Sequence, residues 1–327
     1  MEHKNFGKTR EKVFVIGLGT YGHGDAYGGI SKNQSFSVFK SILGRFPNSA
    51  KVLVDTAPRY GNGKVEGWIG EFLEILNKEK FLIATKGGRH IERGRINEKD
   101  FTKSFIERDL NDSLRRLKLN QIFLYQLHNP SLDIIKGGSI FESLEDLSDE
   151  GKIMFYGLSI DTPEEGMAAL DICKDKGFTN MASLQIIYNV LWKNSYDELF
   201  KKAEKSKVAI IAREPLFRGF LTGKYKRDEN FLDAPEAVKK QITSYGAKQI
   251  FLKLEEVKNI LNESNLGITL SQLAISFAVS NPKITVTIPG INRIGYVEED
   301  INAAYVKINE KTLNMLKSLK DIDMINK

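Results

Sequence analysis

The stretch VFVIGLGTYGHGD (13–25) is a β-branched run that ends in a literal G-x-G-x-x-G, Gly17-Leu18-Gly19-Thr20-Tyr21-Gly22. Two folds compete for it. In an open doubly wound sheet, the glycines would lead into a helix whose N-terminus meets a pyrophosphate. In a closed barrel, they would let the backbone approach a ligand at the mouth. Three features disfavour the open sheet. Tyr21, His23, Gly24 and Asp25 open no apolar helix. The acid ending the next apolar run, Asp55, lies well beyond the spacing of about 20 residues that a ribose contact needs. Polar residues also recur at the ends of many runs rather than at one switch point.

Outward from this stretch, short β-branched runs recur along the chain: 13–19, 52–55, 81–86, 122–128, 154–159, 182–185, 208–214 and 285–290. Stretches with helical apolar spacing separate them. The clearest begins Thr162-Pro163-Glu164-Glu165, where Thr162 can cap, Pro163 suits the first turn, Glu165 completes a capping box and Gly177 ends the helix. Near-continuous apolar strands alternating with helices mean a parallel sheet covered on both faces. A count of eight predicts a closed (β/α)8 TIM barrel. No Pro/Gly/Ser-rich linker divides residues 1–327, so one domain is expected. A short N-terminal hairpin around Lys4–Val13 would plug the barrel bottom. The charged segment Lys224–Thr243 reads as an irregular, mobile loop over the site.

Composition narrows the function. The chain has 327 residues, 41% hydrophobic and 28% charged, the balance of an ordinary globular protein. Its single cysteine, Cys173, excludes an internal disulfide and reads as a small buried hydrophobe. No apolar run is long enough to cross a membrane, and the polar start MEHKNFGKTREK has no signal-peptide core. A cytoplasmic protein is expected. The net charge of +6 is spread without an aromatic-interleaved basic stripe, so no nucleic-acid partner is indicated. The four histidines show no metal-ligand spacing, and His3 and His90 read as surface residues.

Barrel enzymes place their chemistry at the carboxyl ends of strands. Those ends carry Asp55, Lys86, His128, Ser159, Gln185 and Arg213-Glu214, with Tyr60 five residues past Asp55. Polar groups at the end of an apolar strand are costly unless they pair. Hydride transfer with proton donation suits the set. A carbonyl that accepts a hydride needs an acid beside its oxygen. A phenol is a weak acid, an adjacent ammonium lowers its pKa, and a buried ammonium in turn needs a carboxylate. Tyr60, Lys86 and Asp55 form such a chain of dependence, and His128 could orient the substrate oxygen.

At these residues the sequence closely resembles the aldo-keto reductase superfamily. The matching runs include VIGLGTYG, VDTAPRYGNGKVEGWIG, IATKGG, LYQLHNP, YGLSI, LQIIYNV, PLFRGFLTGKY and IPGINRIGYVEEDINAA. The resemblance implies a catalytic tetrad of Asp55, Tyr60, Lys86 and His128. It implies that Ser159 and Gln185 bind a nicotinamide carboxamide, that Gly19, Thr20 and Tyr21 lie near it, and that Leu216, Phe217, Gly219 and Lys224 surround the pyrophosphate. Gly290, Asn292, Arg293, Tyr296, Glu299 and Asp300 would hold the adenosine end.

Some positions depart from the commoner family pattern. Ile160 stands where an Asn is usual, Asp300 replaces the adenine-contacting Asn, and Tyr296 replaces a Gln or Arg. Arg213 replaces an aromatic that stacks on the nicotinamide. A guanidinium plane can also stack, but it adds charge. Arg293 and Lys224 are the cations available for a 2′-phosphate, so NADP is favoured over NAD. The chain ends soon after the adenosine segment, which implies an open pocket lined by Tyr21, His23, Asp25, Tyr27, Asn129 and Trp192. A sugar-like or bulky carbonyl substrate is expected. Two alternatives stand beside a reductase: a sugar or polyol dehydrogenase running oxidatively, and a nucleotide-binding regulatory subunit like the family's potassium-channel beta subunits.

Overall fold

The computed structural model describes residues 2–46, 50–91, 98–193 and 196–325. A hairpin opens the chain, β1 (His3–Asn5) against β2 (Lys12–Phe14), paired antiparallel. Eight parallel strands follow: β3 (Leu18–Gly19), β4 (Val52–Asp55), β5 (Phe81–Gly87), β6 (Ile122–His128), β7 (Ile153–Ser159), β8 (Met181–Ile187), β9 (Ala209–Arg213) and β10 (Val286–Ile288). They neighbour one another in sequence order from β3 to β10. Parallel bridges Ile16–Thr287 and Gly19–Gly290 join the last strand to the first. The chain therefore forms the (β/α)8 barrel that the eight runs predict.

The helices are α1 (Lys32–Leu43), α2 (Lys64–Ile75), α3 (Lys103–Leu117), α4 (Leu132–Gly137), α5 (Ser139–Asp149), α6 (Pro163–Asp175), α7 (Asp197–Lys205), α8 (Glu236–Tyr245), α9 (Ala247–Ser264), α10 (Leu270–Ser280), α11 (Ile294–Asn302) and α12 (Glu310–Ser318). Local chemistry sets their ends. Thr162 and Glu165 form the reciprocal capping box ahead of Pro163, and Gly177 follows the helix at φ +71°. Ser31 with Gln34, and Thr269 with Gln272, make the same box for α1 and α10.

The run 13–19 divides between two structures. Its first residues pair in the hairpin, and only its end joins the barrel. The glycines serve this seam. A Cβ on Gly17 would lie 2.6 Å from the Leu53 carbonyl oxygen, and one on Gly19 would lie 2.9 Å from those of Ile288 and Pro289. Close approach of neighbouring strands, not a phosphate-binding turn, requires them. The hairpin closes the barrel's lower end. Phe6 is fully buried against Phe123, ring centroids 5.5 Å apart, within an inner core that includes Leu53, Leu82, Leu124, Ile211 and Val286.

Two expectations need correction. Lys224–Thr243 is not irregular throughout, because α8 occupies its second half. Pro235 precedes that helix, and Ala237, Val238 and Gln241 are buried, an apolar face too short to stand out among the lysines. His90 is not on the surface. It is 1% exposed, its ring tilted against Phe105 with centroids 4.3 Å apart, and its Nε2 lies 3.6 Å from Asp100. Cys173 is buried as expected, and burial pushes its thiol up to about 12.

The helix behind Tyr60 packs almost backbone to backbone on α3. A Cβ at Gly70 would sit 2.4 Å from the Arg116 carbonyl oxygen. Gly70→Ala should destabilise the fold by about 1–3 kcal/mol through forced separation of these helices. Chemical denaturation at neutral pH checks this, and an unchanged midpoint would contradict it.

Candidate active site

β4 ends at Asp55, and the chain then turns sharply before α2 begins at Lys64. Gly61, Asn62 and Gly63 are all left-handed, with φ of +60°, +51° and +83°. The turn lifts Tyr60 over the barrel mouth. Neighbouring strands bring the other groups to the same height. Asp55 lies across from Ala84, two residues before Lys86 on β5, and His128 lies across from Ser159 at the ends of β6 and β7.

Lys86 is 1% exposed, and its ammonium makes three hydrogen bonds. It donates to Asp55 Oδ1 at 2.5 Å, to the Thr56 carbonyl oxygen at 3.0 Å and to the Tyr60 hydroxyl oxygen at 3.2 Å. An ammonium has three donors, so all are satisfied. Asp55 Oδ2 accepts from Gln185 Nε2 at 2.7 Å and from Gln126 Nε2 at 3.2 Å. The carboxylate thus reaches side chains on β5, β6 and β8.

The electrostatics follow from this packing. Burial pulls the Lys86 ammonium down, but Asp55 and Tyr60 together outweigh it and hold its pKa above the ordinary value. For Tyr60 the balance runs the other way. Burial raises the phenol, and the opposing pull of Lys86 does not overcome it. The sequence-based expectation of a lowered phenol pKa is therefore not met. Burial, reinforced by Lys86 and the guanidinium groups of Arg89, Arg59 and Arg213, pushes His128 well below its usual value, so it stays neutral.

A cavity of about 870 Å³ extends from this cluster across the mouth. Its lining includes Asp55, Tyr60, Lys86 and His128 together with Gly19, Tyr21, Tyr27, Asn129, Ser159, Gln185 and Arg213. It also includes Leu216, Gly219, Lys224, Gly290, Asn292, Arg293, Tyr296, Glu299 and Asp300. Tyr21 packs between Tyr60 and Tyr27, with centroid distances of 5.1 and 5.7 Å. Glu214, Phe217, Arg218 and Gly219 all have positive φ, which bends the segment after β9 tightly around the cavity. Burial, with Glu299 beside it, raises Asp300 well above the usual carboxylate range.

Five candidates lie off the lining. His23 is fully buried, with Nδ1 2.7 Å from Ser35 Oγ and Nε2 2.7 Å from the Ile291 carbonyl oxygen. It ties the loop after β3 to the segment after β10. Trp192 packs edge-on against Tyr245, 5.8 Å away. Phe217 turns its ring into the core beside Tyr245. The Thr20 hydroxyl donates to the Asp55 carbonyl oxygen at 2.9 Å. Asp25 is exposed, 3.6 Å from Lys64.

The structure also adds residues that the sequence pattern did not single out. Gln126 stands two positions before His128 on the same strand face, so the period-two rule could have found it. Arg59, Arg89 and Asp161 line the cavity as well. Asp161 fixes Arg213 and Asn129, each at 2.8 Å. Among the described residues, no group of three or more His, Cys, Asp or Glu side chains could hold a metal ion. No helix among them is long and apolar enough to cross a membrane.

With fold and site in place, comparison with known proteins identifies the class. The Aldo/keto reductase family matches residues 15–321, and the chain belongs to that family. An aldo-keto reductase of Schizosaccharomyces pombe, whose name carries NADP(+), is 27% identical over 95% of this chain and 89% of its own length. A probable voltage-gated potassium channel subunit beta of Arabidopsis thaliana is 25% identical over 94% of this chain and 92% of its own. The holo form of an aldo-keto reductase from Bacillus halodurans superposes with a TM-score of 0.77 at 23% identity, covering 100% and 99% of the two chains.

Behind the strand end that carries Lys86 lies a second acidic cluster. Glu66 is buried, bound to Arg116 at 2.7 Å and to the Thr85 hydroxyl at 2.6 Å. Asp109 Oδ2 accepts from the Gly88 amide at 3.2 Å. Burial, then Glu66, pushes Asp109 up to about 7. A carboxyl whose folded pKa exceeds its unfolded one stays protonated in the fold while the unfolded chain ionises. Stability therefore falls as pH rises from about 4 to 7. Asp109→Asn should remove that slope, and wild type should lose about 2 kcal/mol relative to the variant between pH 5 and 8. Urea denaturation at both pH values measures it, and parallel pH dependences would refute the assignment.

Proposed function

We propose that this chain is a nicotinamide-nucleotide-dependent oxidoreductase that reduces an aldehyde or ketone, with Tyr60 as the proton donor. The observation that carries the reading is the buried Asp55–Lys86–Tyr60 chain at the base of the cavity. A reduced nicotinamide, when bound, supplies a hydride to the carbonyl carbon. Tyr60 gives its hydroxyl proton to the developing alkoxide. Lys86 stabilises the phenolate left behind, and Asp55 keeps Lys86 charged. Neutral His128 offers a ring N–H to the same oxygen. The same residues serve oxidation of an alcohol by microscopic reversibility.

The lining fits such a nucleotide. Gln185 directs its amide hydrogens to Asp55 and to Gln126, 3.3 Å away, which leaves its carbonyl oxygen and the Ser159 hydroxyl for a carboxamide. The bent segment at Leu216–Gly219, with Lys224, suits a pyrophosphate. Arg293 and Lys224 are cations for a 2′-phosphate, and they support NADP over NAD.

Tyr60→Phe should lower reductive turnover of a reactive aldehyde by about 10²–10⁴-fold while leaving nucleotide binding intact. With His128 held neutral and Tyr60 held protonated by burial, wild-type kcat/KM should be level from pH 6 to 8. It should decline only in the alkaline range, above the ordinary phenol value of about 10. Turnover retained in the variant would remove Tyr60 from this role. In a titration followed by intrinsic fluorescence, NADPH should bind on the order of tenfold more tightly than NADH. Equal affinities would refute the preference.

A further inference from the structure

We propose that the substrate carries an anionic group, a carboxylate or phosphate, and that Arg59 and Arg89 receive it. This rests on the reductase reading above and specifies its substrate class. Both guanidinium groups line the cavity at the end that holds Tyr60, His128 and Asn129. Arg59 immediately precedes Tyr60 in the chain. Arg89 Nε donates to the His128 carbonyl oxygen at 3.2 Å, which anchors its guanidinium beside the imidazole.

Most of the charges at this end are already matched. Asp55 is taken by Lys86. Asp161 is held by Arg213 and Asn129. Glu214 is shared between Arg213 at 3.0 Å and Arg218 at 2.7 Å. Arg213 thus has two carboxylates and is neutralised. Arg59 and Arg89 form no ion pair with a carboxylate among the described residues. Burial and then the positive charge of Arg59 disfavour the charge of Arg89, which Asp161 offsets only in part, and both guanidinium groups press on His128. Two guanidinium groups without a directly paired carboxylate, facing a partly desolvated cavity, are unfavourable until an anion arrives. Planar guanidinium donors match the oxygens of a carboxylate or phosphate in paired hydrogen bonds.

These two cations belong to the reacting end. Lys224 lies over the rings of Tyr27 and Tyr225, and Arg293 lies beside Tyr296, on the stretch that suits the nucleotide. An oxyanion at Arg59 and Arg89 would fix how the substrate's carbonyl sits under Tyr60 and His128. Selection among carbonyl compounds would then rest on charge.

The test compares matched substrate pairs with NADPH: succinic semialdehyde against butanal, and glyceraldehyde 3-phosphate against glyceraldehyde. Wild type should favour the charged member of at least one pair by about tenfold or more in kcat/KM, and the favoured pair identifies carboxylate or phosphate. Arg59→Gln and Arg89→Gln should each cut that charged-to-neutral ratio on the order of 10- to 100-fold. Arg59→Lys should restore part of it, and added salt should weaken it. A ratio shared by both substrates of one enzyme preparation is insensitive to partial misfolding. Ratios near one in both wild-type pairs, or ratios unmoved by both glutamine variants, overturn the proposal. Absence of turnover with every aldehyde counts against the reductase reading alone. Calorimetric titration of the NADP-loaded protein with 4-hydroxybutyrate and with uncharged 1,4-butanediol then decides the anion site. Tighter binding of the anion that Arg59→Gln abolishes supports it, and equal binding overturns it.

Discussion

A lysine ammonium enclosed in protein cannot keep its charge without a close anion, and the contact between Lys86 and Asp55 answers that constraint. Both residues end strands that are neighbours in the barrel. The second carboxylate oxygen then gathers Gln126 and Gln185 from two further strands. One ion pair therefore organises polar groups from β4, β5, β6 and β8 at a single level. Barrel closure brings those strand ends around a common axis, and the polar chain is tolerated there because every member finds a partner.

The same arrangement sets the acid–base character of the mouth. Tyr60 experiences two opposed influences, burial and the Lys86 ammonium, and burial prevails. A donor in that condition is loaded with its proton throughout the neutral range. In the proposed reaction, Lys86 meets the negative charge that develops on the phenol oxygen, since it already stands 3.2 Å away and needs no rearrangement. Burial, reinforced by the cations around it, keeps the His128 imidazole neutral, which in the proposed reaction leaves it a hydrogen-bond donor and not a competing acid.

Much of this was legible in the chain. The eight runs announced the barrel because each buried strand must be nearly continuous in apolar residues, and their polar ends marked Asp55, Lys86 and His128 as groups that share one mouth. The capping box at Thr162 and Glu165 could be read because its chemistry is local. Non-local matters were not legible. His23 reads as a mouth residue from its place in the chain, yet Ser35 and the Ile291 carbonyl draw its ring inward. His90 reads as exposed, yet Phe105 covers it. Both side chains gain partners remote in sequence or supplied by a helix that folds back, and neither partner leaves a mark at the histidine itself.

The glycine-rich stretch 17–22 shows why a motif needs its surroundings. Gly17 and Gly19 are required where the first strand meets its neighbours, since backbone carbonyls of Leu53, Ile288 and Pro289 occupy the space of a side chain. That requirement arises from closing a barrel with a very short strand. Without side chains the seam can close tightly, and the last strand then delivers Gly290 and Asn292 beside Gly19 and Gly22. The glycines shape the cavity by fixing where two strand ends meet. Spacing alone cannot distinguish this role from a phosphate cradle, because both demand a backbone without a Cβ. The distinction lies in the segment that the glycines lead into. In this chain it is a pair of single 3-10 turns, Tyr21–His23 and Asp25–Tyr27, that carry Tyr21 to the side of Tyr60, and the first α-helix begins only at Lys32.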